Sequence, residues 1–450
     1  MTKFVDQSPD PKSHIKTLMH IGYTLNSAIS DLIDNSITAG AKNIEIFAPP
    51  GLDSPIISII DDGCGMESEE LIQNMRIGCK DPRIDREKGD LGRFGSGLKT
   101  ASFSQALQLT VITKKQGSPP TAARWDIQEI ERTNSWCLEV FESHELSQIE
   151  GYAGNFPFPS GTQIIWDKLI CIDEGSHIID KDKELAAKIS ELKSHIALHF
   201  HRFMHGANKR TFSINRGEIN PIDPFMKGAN GYQEGPSERL RCKGGHIEIS
   251  THVLPHFNKM DPMTLERMGG AEGITQNQGI YIYREKRLIQ AGGWMGMNRN
   301  SQLGALARVQ VDIPAALDND WATDVKKETL QIPARVKGGL RKFMADPVKR
   351  SKKVYSYKGK TETANEFWKI CEDENTKKIT YLVDPNNSAL ENIFERFLES
   401  DKSILVSYLN ELAKNLPINH IYEKMAERPN DIQQDELDMS ILESIFKKVF

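Results

Sequence analysis

The stretch "GYTLNSAISDLIDNSIT", residues 22–38, constrains this chain most. Its apolar residues Leu25, Ala28, Ile29, Leu32 and Ile33 recur three and four apart, the period of a helix with one buried face. Asp31, Asn35 and Thr38 then share a stripe away from the apolar one. Asp and Asn are poor helix-interior residues, because their side chains compete with the backbone for hydrogen bonds. A site explains their presence better than helix stability does.

The following segments alternate between strand and helix periods. "AKNIEIFAP" and "PIISIIDDGCGM" read as strands, the second stopped by Asp-Asp-Gly, and "SEELIQNMRIG" reads as a helix. A charged, then glycine-rich loop leads into a helix beginning near Gly97. "LQLTVITKK", "AARWDIQEI", "CLEVFE" and "GTQIIWDKL" read as successive antiparallel strands. This mixture predicts an α+β domain, a sheet with helices packed on one side. Residues 176–190 are polar and charged and suggest a boundary. Beyond it come a helix at "ELAAKISELKSHIALHFHRFM" and a strand at "GIYIYREKRLIQAGG". After Pro333 the period is helical, at "ANEFWKICEDE", "LENIFERFLESDKSILVSYLNELAKNL" and "MSILESIFKKVF".

Two short patterns suggest chemistry. "LGRFGSGLKT" has Gly92, Gly95 and Gly97 on a loop and Lys99 in the first turn of a helix. Such a loop lets backbone N–H groups come close to a phosphate, and it is equally the composition of a tight turn into a helix. In "DDGCGM", Asp61 ends a strand and Gly63 and Gly65 permit a sharp bend. A carboxylate there can accept a hydrogen bond from an exocyclic amine such as that of adenine, although Asp-Gly is also a common hairpin turn.

Taken in order, the helix with Asp31 and Asn35, then Asp61-x-Gly63-x-Gly65, Gly95-x-Gly97, and Gly161-Thr162 resemble the GHKL ATPase superfamily. The context is most similar to MORC-like and MutL-like proteins. The resemblance covers roughly the first 170 residues and implies a GHKL α/β sandwich, a mixed, mostly antiparallel sheet covered by helices. It also implies ATP and Mg2+ as cofactors, with Asn35 as the metal ligand, Asp61 reading the adenine amine and Thr162 supporting that contact. Further nucleotide contacts are implied for Gly63, Gly65, Met66 and Lys80, and for the loop Gly92, Arg93, Phe94, Gly95, Ser96, Gly97, Leu98 and Lys99. Asp31 stands where the family most often has Glu to orient or deprotonate the attacking water. One methylene less implies slow hydrolysis, because catalysis is sensitive to displacements near an ångström. Thr38 stands where many relatives have Asp.

The resemblance implies a domain order of 1–175, an ATP-binding domain with an N-terminal arm, then 176–335, a transducer-like α/β domain, then 336–450, a helical C-terminal region. A transducer lysine reaches the terminal phosphate in such branches, which makes Lys327, or its neighbour Lys326, the candidate catalytic cation. ATP-dependent homodimerisation is implied, with residues 1–20 as the exchanged arm. The basic segment 335–360, with Phe343, Tyr355 and Tyr357 interleaved, is a candidate DNA contact. A partner protein is expected to supply effector chemistry. The alternative is a nucleotide-gated scaffold with little hydrolysis.

Composition limits the remaining classes. The 450 residues carry a net charge of -5, so any nucleic-acid contact must be local. Cys64, Cys79, Cys137, Cys171, Cys242 and Cys371 form no C-x-x-C pair, which argues against a zinc ribbon or disulfide framework and for a reducing cytoplasm. His195, His199, His201 and His205 lack the carboxylate of an H-E-x-x-H motif and are expected to be core or surface histidines. No apolar run suffices for a bilayer span, and a cytoplasmic, membrane-free protein is expected.

Overall fold

The computed structural model describes residues 9–78, 97–152, 154–172, 178–242, 245–317, 321, 332–356, 368–372, 379–384, 394 and 397–415. Its first sheet grows from the strand periods of the sequence. Helices α1 (Pro11–Met19) and α2 (Leu25–Thr38) precede β1 (Asn43–Phe47) and β2 (Ile57–Asp61). Then follow α3 (Ser68–Met75), α4 (Gly97–Phe103), β3 (Ala106–Lys114), β4 (Thr121–Asp126), α5 (Ile127–Thr133), β5 (Glu139–Phe141) and β6 (Gly161–Leu169). Helix α6 (Ile178–His199) leads to β7 (Thr211–Ile214) and β8 (Gly217–Glu218). The eight strands pair in the order β5-β4-β3-β6-β2-β1-β7-β8, antiparallel except for β1 with β7. This is the mixed, mostly antiparallel sheet of an α+β sandwich, and it takes in strands from both sides of residue 176.

Alternation along the strands builds two cores. Leu109, Val111, Trp125, Ile164 and Trp166 face α2 and α6, whose Ile29, Leu32, Leu192 and Ile196 are fully buried. Ile112, Ala122 and Ile165 point the other way and pack with Phe141, Leu146 and Ile149. Helix α2 starts at Thr24, whose side chain accepts from Ser27 N while Ser27 returns a bond to the Thr24 backbone, a reciprocal cap. Helix α1 buries Ile15 and packs on α4 and α5.

"AARWDIQEI" is not one strand. It ends at Asp126, whose carboxylate accepts from Gln128 and Glu129 N–H groups and caps α5.

The second sheet contains β9 (Gln233–Cys242), β10 (Gly245–Val253), β11 (Gly279–Arg284), β12 (Arg287–Gln290) and β13 (Ala307–Ile313), in the order β12-β11-β13-β10-β9. Helices α7 (Pro262–Arg267) and α8 (Gly270–Gln276) lie between β10 and β11. "GIYIYREKRLIQAGG" is a hairpin, with Glu285 and Lys286 as its two-residue loop. Helix α9 (Ala334–Ser356) covers this sheet with Val336, Leu340, Phe343 and Met344. Phe343 is therefore a core residue rather than an aromatic offered to nucleic acid, since the helical period carries it inward. Lys337, Arg341, Lys342, Lys349, Lys352 and Lys353 remain exposed on α9.

The expected helix at "ANEFWKICEDE" is also corrected. Trp368–Glu372 is a strand, β14, paired antiparallel with β15 (Ile379–Val383). Tryptophan, isoleucine, tyrosine and valine favour a strand once a partner offers a ladder, and a local periodicity does not register that partner. A further helix spans Glu399–Lys414. The expected helix at "MSILESIFKKVF" lies outside the described residues. Among the described residues no helix is long and apolar enough to cross a membrane.

Candidate active site

Helix α2 brings Asp31 and Asn35 to adjacent turns, with Asp31 4% exposed and Asn35 at the surface. Tyr23, just before the helix, donates its hydroxyl to Asp31 Oδ2 at 2.9 Å. The first residue of α4 also meets this carboxylate. A Cβ on Gly97 would come within 3.3 Å of Asp31 Oδ2, so the start of the helix after the glycine-rich loop adjoins Asp31.

Asp61 closes β2 at the other end of the site and is 5% exposed. Its Oδ2 accepts from Ser36 Oγ at 2.7 Å and its Oδ1 from Gly63 N at 2.8 Å. Burial pushes the Asp61 carboxyl above its ordinary value, while the hydrogen bonds from Ser36, Gly63 and Thr162 pull against that shift. Thr162 pairs with Asp61 on one side and with Thr113 on the other. The Thr113 hydroxyl lies 3.2 Å from that of Thr162, donates to Gly161 O at 3.0 Å and accepts from Met66 N at 2.9 Å. The bend after β2 is thereby tied to β3 and β6.

The glycines here have a steric reason. Gly65 adopts φ +66°, and a Cβ on it would lie 1.8 Å from the Lys114 carbonyl oxygen. A Cβ on Gly161 would lie 2.0 Å from the Asp61 carbonyl oxygen. Only glycine lets these backbones approach so closely.

Asp31, Asn35, Asp61, Gly63, Gly65, Met66, Gly97 and Thr162 thus belong to one region between α2, the end of β2 and β6. Leu98 lies on α4 with Gly97, and the buried Lys99 donates its Nζ to the Asn74 carbonyl at 2.8 Å, linking α4 to α3. Lys80, Gly92, Arg93, Phe94, Gly95, Ser96, Lys326 and Lys327 lie outside the described residues.

Residues 23–154 match the family model described as histidine kinase-, DNA gyrase B-, and HSP90-like ATPase. Residues 23–154 are a GHKL ATPase domain. Relatives align with about a fifth of the chain. ATPase morc-1 of Caenorhabditis elegans is 33% identical over 98 residues, 22% of this chain and 11% of that protein. Human MORC family CW-type zinc finger protein 1 is 30% identical over 95 residues, 20% of this chain and 10% of that protein. The DNA mismatch repair protein MutL of Thermoanaerobacter sp. (strain X514) is 34% identical over 94 residues, 20% of this chain and 15% of that protein.

Several contacts of the GHKL domain had no local signal. Tyr23, Ser36 and Thr113 hold the carboxylates and the bend, yet nothing in their flanking sequence sets them apart. Arg287 is the most distant. It enters from β12, forms an ion pair with Asp34 and lies 3.8 Å from Asp31 Oδ1. Its guanidinium also sits over the Phe200 ring, 5.3 Å from the centroid. His195 and His199 stack beside it with centroids 3.8 Å apart, and His195 Nε2 lies 3.0 Å from Ser30 Oγ. Desolvation, with contributions from His199 and Arg287, pushes His195 down to about 2. Desolvation and Arg287 push His199 down to about 4, against the opposing hydrogen bond to the His195 carbonyl. Among the described residues no group of three metal-ligating side chains converges.

Proposed function

We propose that the chain is a magnesium-dependent ATP-binding protein that hydrolyses ATP slowly and uses the nucleotide cycle to gate homodimerisation. The observation that carries this reading is the Asp31 carboxylate, buried, held by Tyr23 and adjoining Gly97. A carboxylate so fixed, one helical turn before Asn35, can orient water or accept its proton. The residues fit an adenine nucleotide. Asp61 would accept from the exocyclic amine with Thr162 in support, and the bend at Gly63 and Gly65, where a Cβ would run into Ala39 and the Lys114 backbone, packs the end of β2 closely against its neighbours.

Asn35 would hold the metal, which takes few protein ligands and, when bound, offsets charge on the phosphates. In this reading Gly92 to Lys99 cradle the phosphates, Lys80 contributes to binding, and Lys327 or Lys326 stabilises charge at the terminal phosphate. The exposed lysines and arginine of α9 support a DNA contact through segment 335–360, salt-sensitive and without sequence readout. An effector protein is the expected recipient of the motion. The free Cys64, Cys137, Cys171 and Cys242 are consistent with a cytoplasmic setting.

One observation favours a second reading. Asp31 is a methylene shorter than the Glu it stands for and already accepts the Tyr23 hydroxyl, which suits a nucleotide-gated scaffold that scarcely turns over. Steady-state phosphate release by the wild type, Asp31→Asn and Asn35→Ala separates the two. Release above both variants supports the ATPase, and wild-type release no faster than either leaves only the scaffold. Sedimentation with a nonhydrolysable ATP analogue, with and without DNA, tests the dimer. An unchanged monomer in both conditions would overturn gating.

A further inference from the structure

Arg287 reaches the GHKL domain from an unusually constrained hairpin. Glu285 and Lys286, between β11 and β12, have φ of 47° and 74°. Two-residue loops in this region normally use Asn or Gly, because larger side chains crowd the backbone there. Glu285 Oε1 accepts from Ala315 N at 3.0 Å, which anchors the tip beyond β13. A costly turn kept at a defined position suggests that what it delivers has a use.

What it delivers is a cation whose side chain is 6% exposed, set against two carboxylates three residues apart on one helix face. Buried ion pairs contribute little net stability, and apolar residues of similar volume often serve as well or better. Stability is therefore a poor reason for an arginine here. The geometry is unequal as well. Arg287 is in close contact with Asp34, while Asp31 stands 3.8 Å away and takes its hydrogen bond from Tyr23. Arg287 thus pairs with both carboxylates, more closely with Asp34 than with Asp31.

We propose that Arg287 is a positioning residue for ATP hydrolysis. By gripping Asp34 it fixes the α2 face on which Asp31 meets water, so turnover requires the β11–β12 hairpin to be docked on α2. The inference rests on the reading of Asp31 as the water-orienting carboxylate. It adds that the second sheet completes the site through a residue buried against α2.

The test compares full-length wild type, Asp31→Asn, Arg287→Ala, Arg287→Lys and Asp34→Asn for binding of fluorescently labelled ATP and for steady-state phosphate release. The expected result is a Kd within about threefold of wild type for the Arg287 variants. With it, kcat should fall at least about tenfold in Arg287→Ala and recover to within about threefold in Arg287→Lys. A purely structural role would lower binding and turnover in parallel, and that outcome overturns the proposal. Arg287→Ala turning over at the wild-type rate or faster, with wild type still above Asp31→Asn, also overturns it and leaves the ATPase reading intact. Wild type no faster than Asp31→Asn overturns the ATPase reading, and this inference with it. Should Arg287→Ala not fold, wild-type kcat in both Arg287→Lys and Asp34→Asn overturns the proposal.

Discussion

Ser36 Oγ donates a 2.7 Å hydrogen bond to Asp61 Oδ2, joining the last turn of the site helix α2 to the end of strand β2. The Ser36 hydroxyl also lies 3.3 Å from the Leu32 carbonyl, so it has a second acceptor within reach. Asparagine at 61 could keep the Gly63 bond and donate its amide to Ser36, whose proton turns to Leu32. Burial raises the Asp61 pKa above its ordinary 3.8. For a group raised in the folded state, the stabilisation is fully present below the unfolded value and is lost as pH rises through the folded one. At neutral pH, above the unfolded value, part of that stabilisation is already lost. Asp61→Asn is expected to raise the thermal midpoint at pH 7 and to weaken ATP binding by about ten- to hundredfold, the worth of a hydrogen bond to a charged group. Differential scanning fluorimetry and labelled-ATP titration measure the two effects; unchanged ATP affinity would remove Asp61 from the adenine site.

Asp34 is 1% exposed opposite Arg287. Removing one member of such a pair leaves a buried charge uncompensated, so Arg287→Ala should lower unfolding free energy by about 3–5 kcal/mol. Replacing both, Arg287→Met with Asp34→Leu, should recover most of that loss. Urea midpoints of the single and double variants decide this, and equal losses in both would mean the pair is not coupled.

Three glycines make a graded steric test. Gly65→Ala and Gly161→Ala force a Cβ into backbone oxygens at 1.8 and 2.0 Å, whereas Gly117, at φ +87°, has nothing within 4 Å of its would-be Cβ. The first two should cost several kcal/mol and impair nucleotide binding, while Gly117→Ala should cost only about 1–2 kcal/mol for its left-handed backbone. Comparable losses at all three positions, by urea unfolding, would contradict the close approach of β2, β3 and β6.

Acid should weaken the protein before its carboxylates protonate. Desolvation pushes His195 to about 2 and His199, His201 and His252 to about 4, all below the ordinary 6.5. A histidine lowered in the folded state contributes stability above 6.5 and loses it as pH falls toward the folded value. Each group contributes a slope of about 1.4 kcal/mol per pH unit within that window. Urea midpoints should fall between pH 7 and pH 5, and His199→Gln should make the fall shallower. A midpoint constant over that range would show that these rings are protonated without cost.

Local chemistry made much of this protein legible in its sequence. The 3.6-residue period of Leu25 to Ile33 specifies α2 and puts Asp31 and Asn35 on one stripe, and the abrupt Asp-Asp-Gly stop marks the end of β2. Those patterns are local, so they survive without knowledge of the fold. The strand at Trp368–Glu372 and the break at Asp126 were hidden because a ladder partner and a cap outweigh a short periodicity.

Tertiary structure decided what the local patterns could not contain. It turned Phe343 into the core and set Thr113 beside Thr162. It also brought Arg287 onto the Asp31 and Asp34 face of α2 from 253 residues beyond Asp34. Periodicity fixes which face a residue occupies on its own element, but side-chain partners are chosen by how separate elements dock. That is why the helix and its carboxylates could be read from the chain, and the cation that holds them could not.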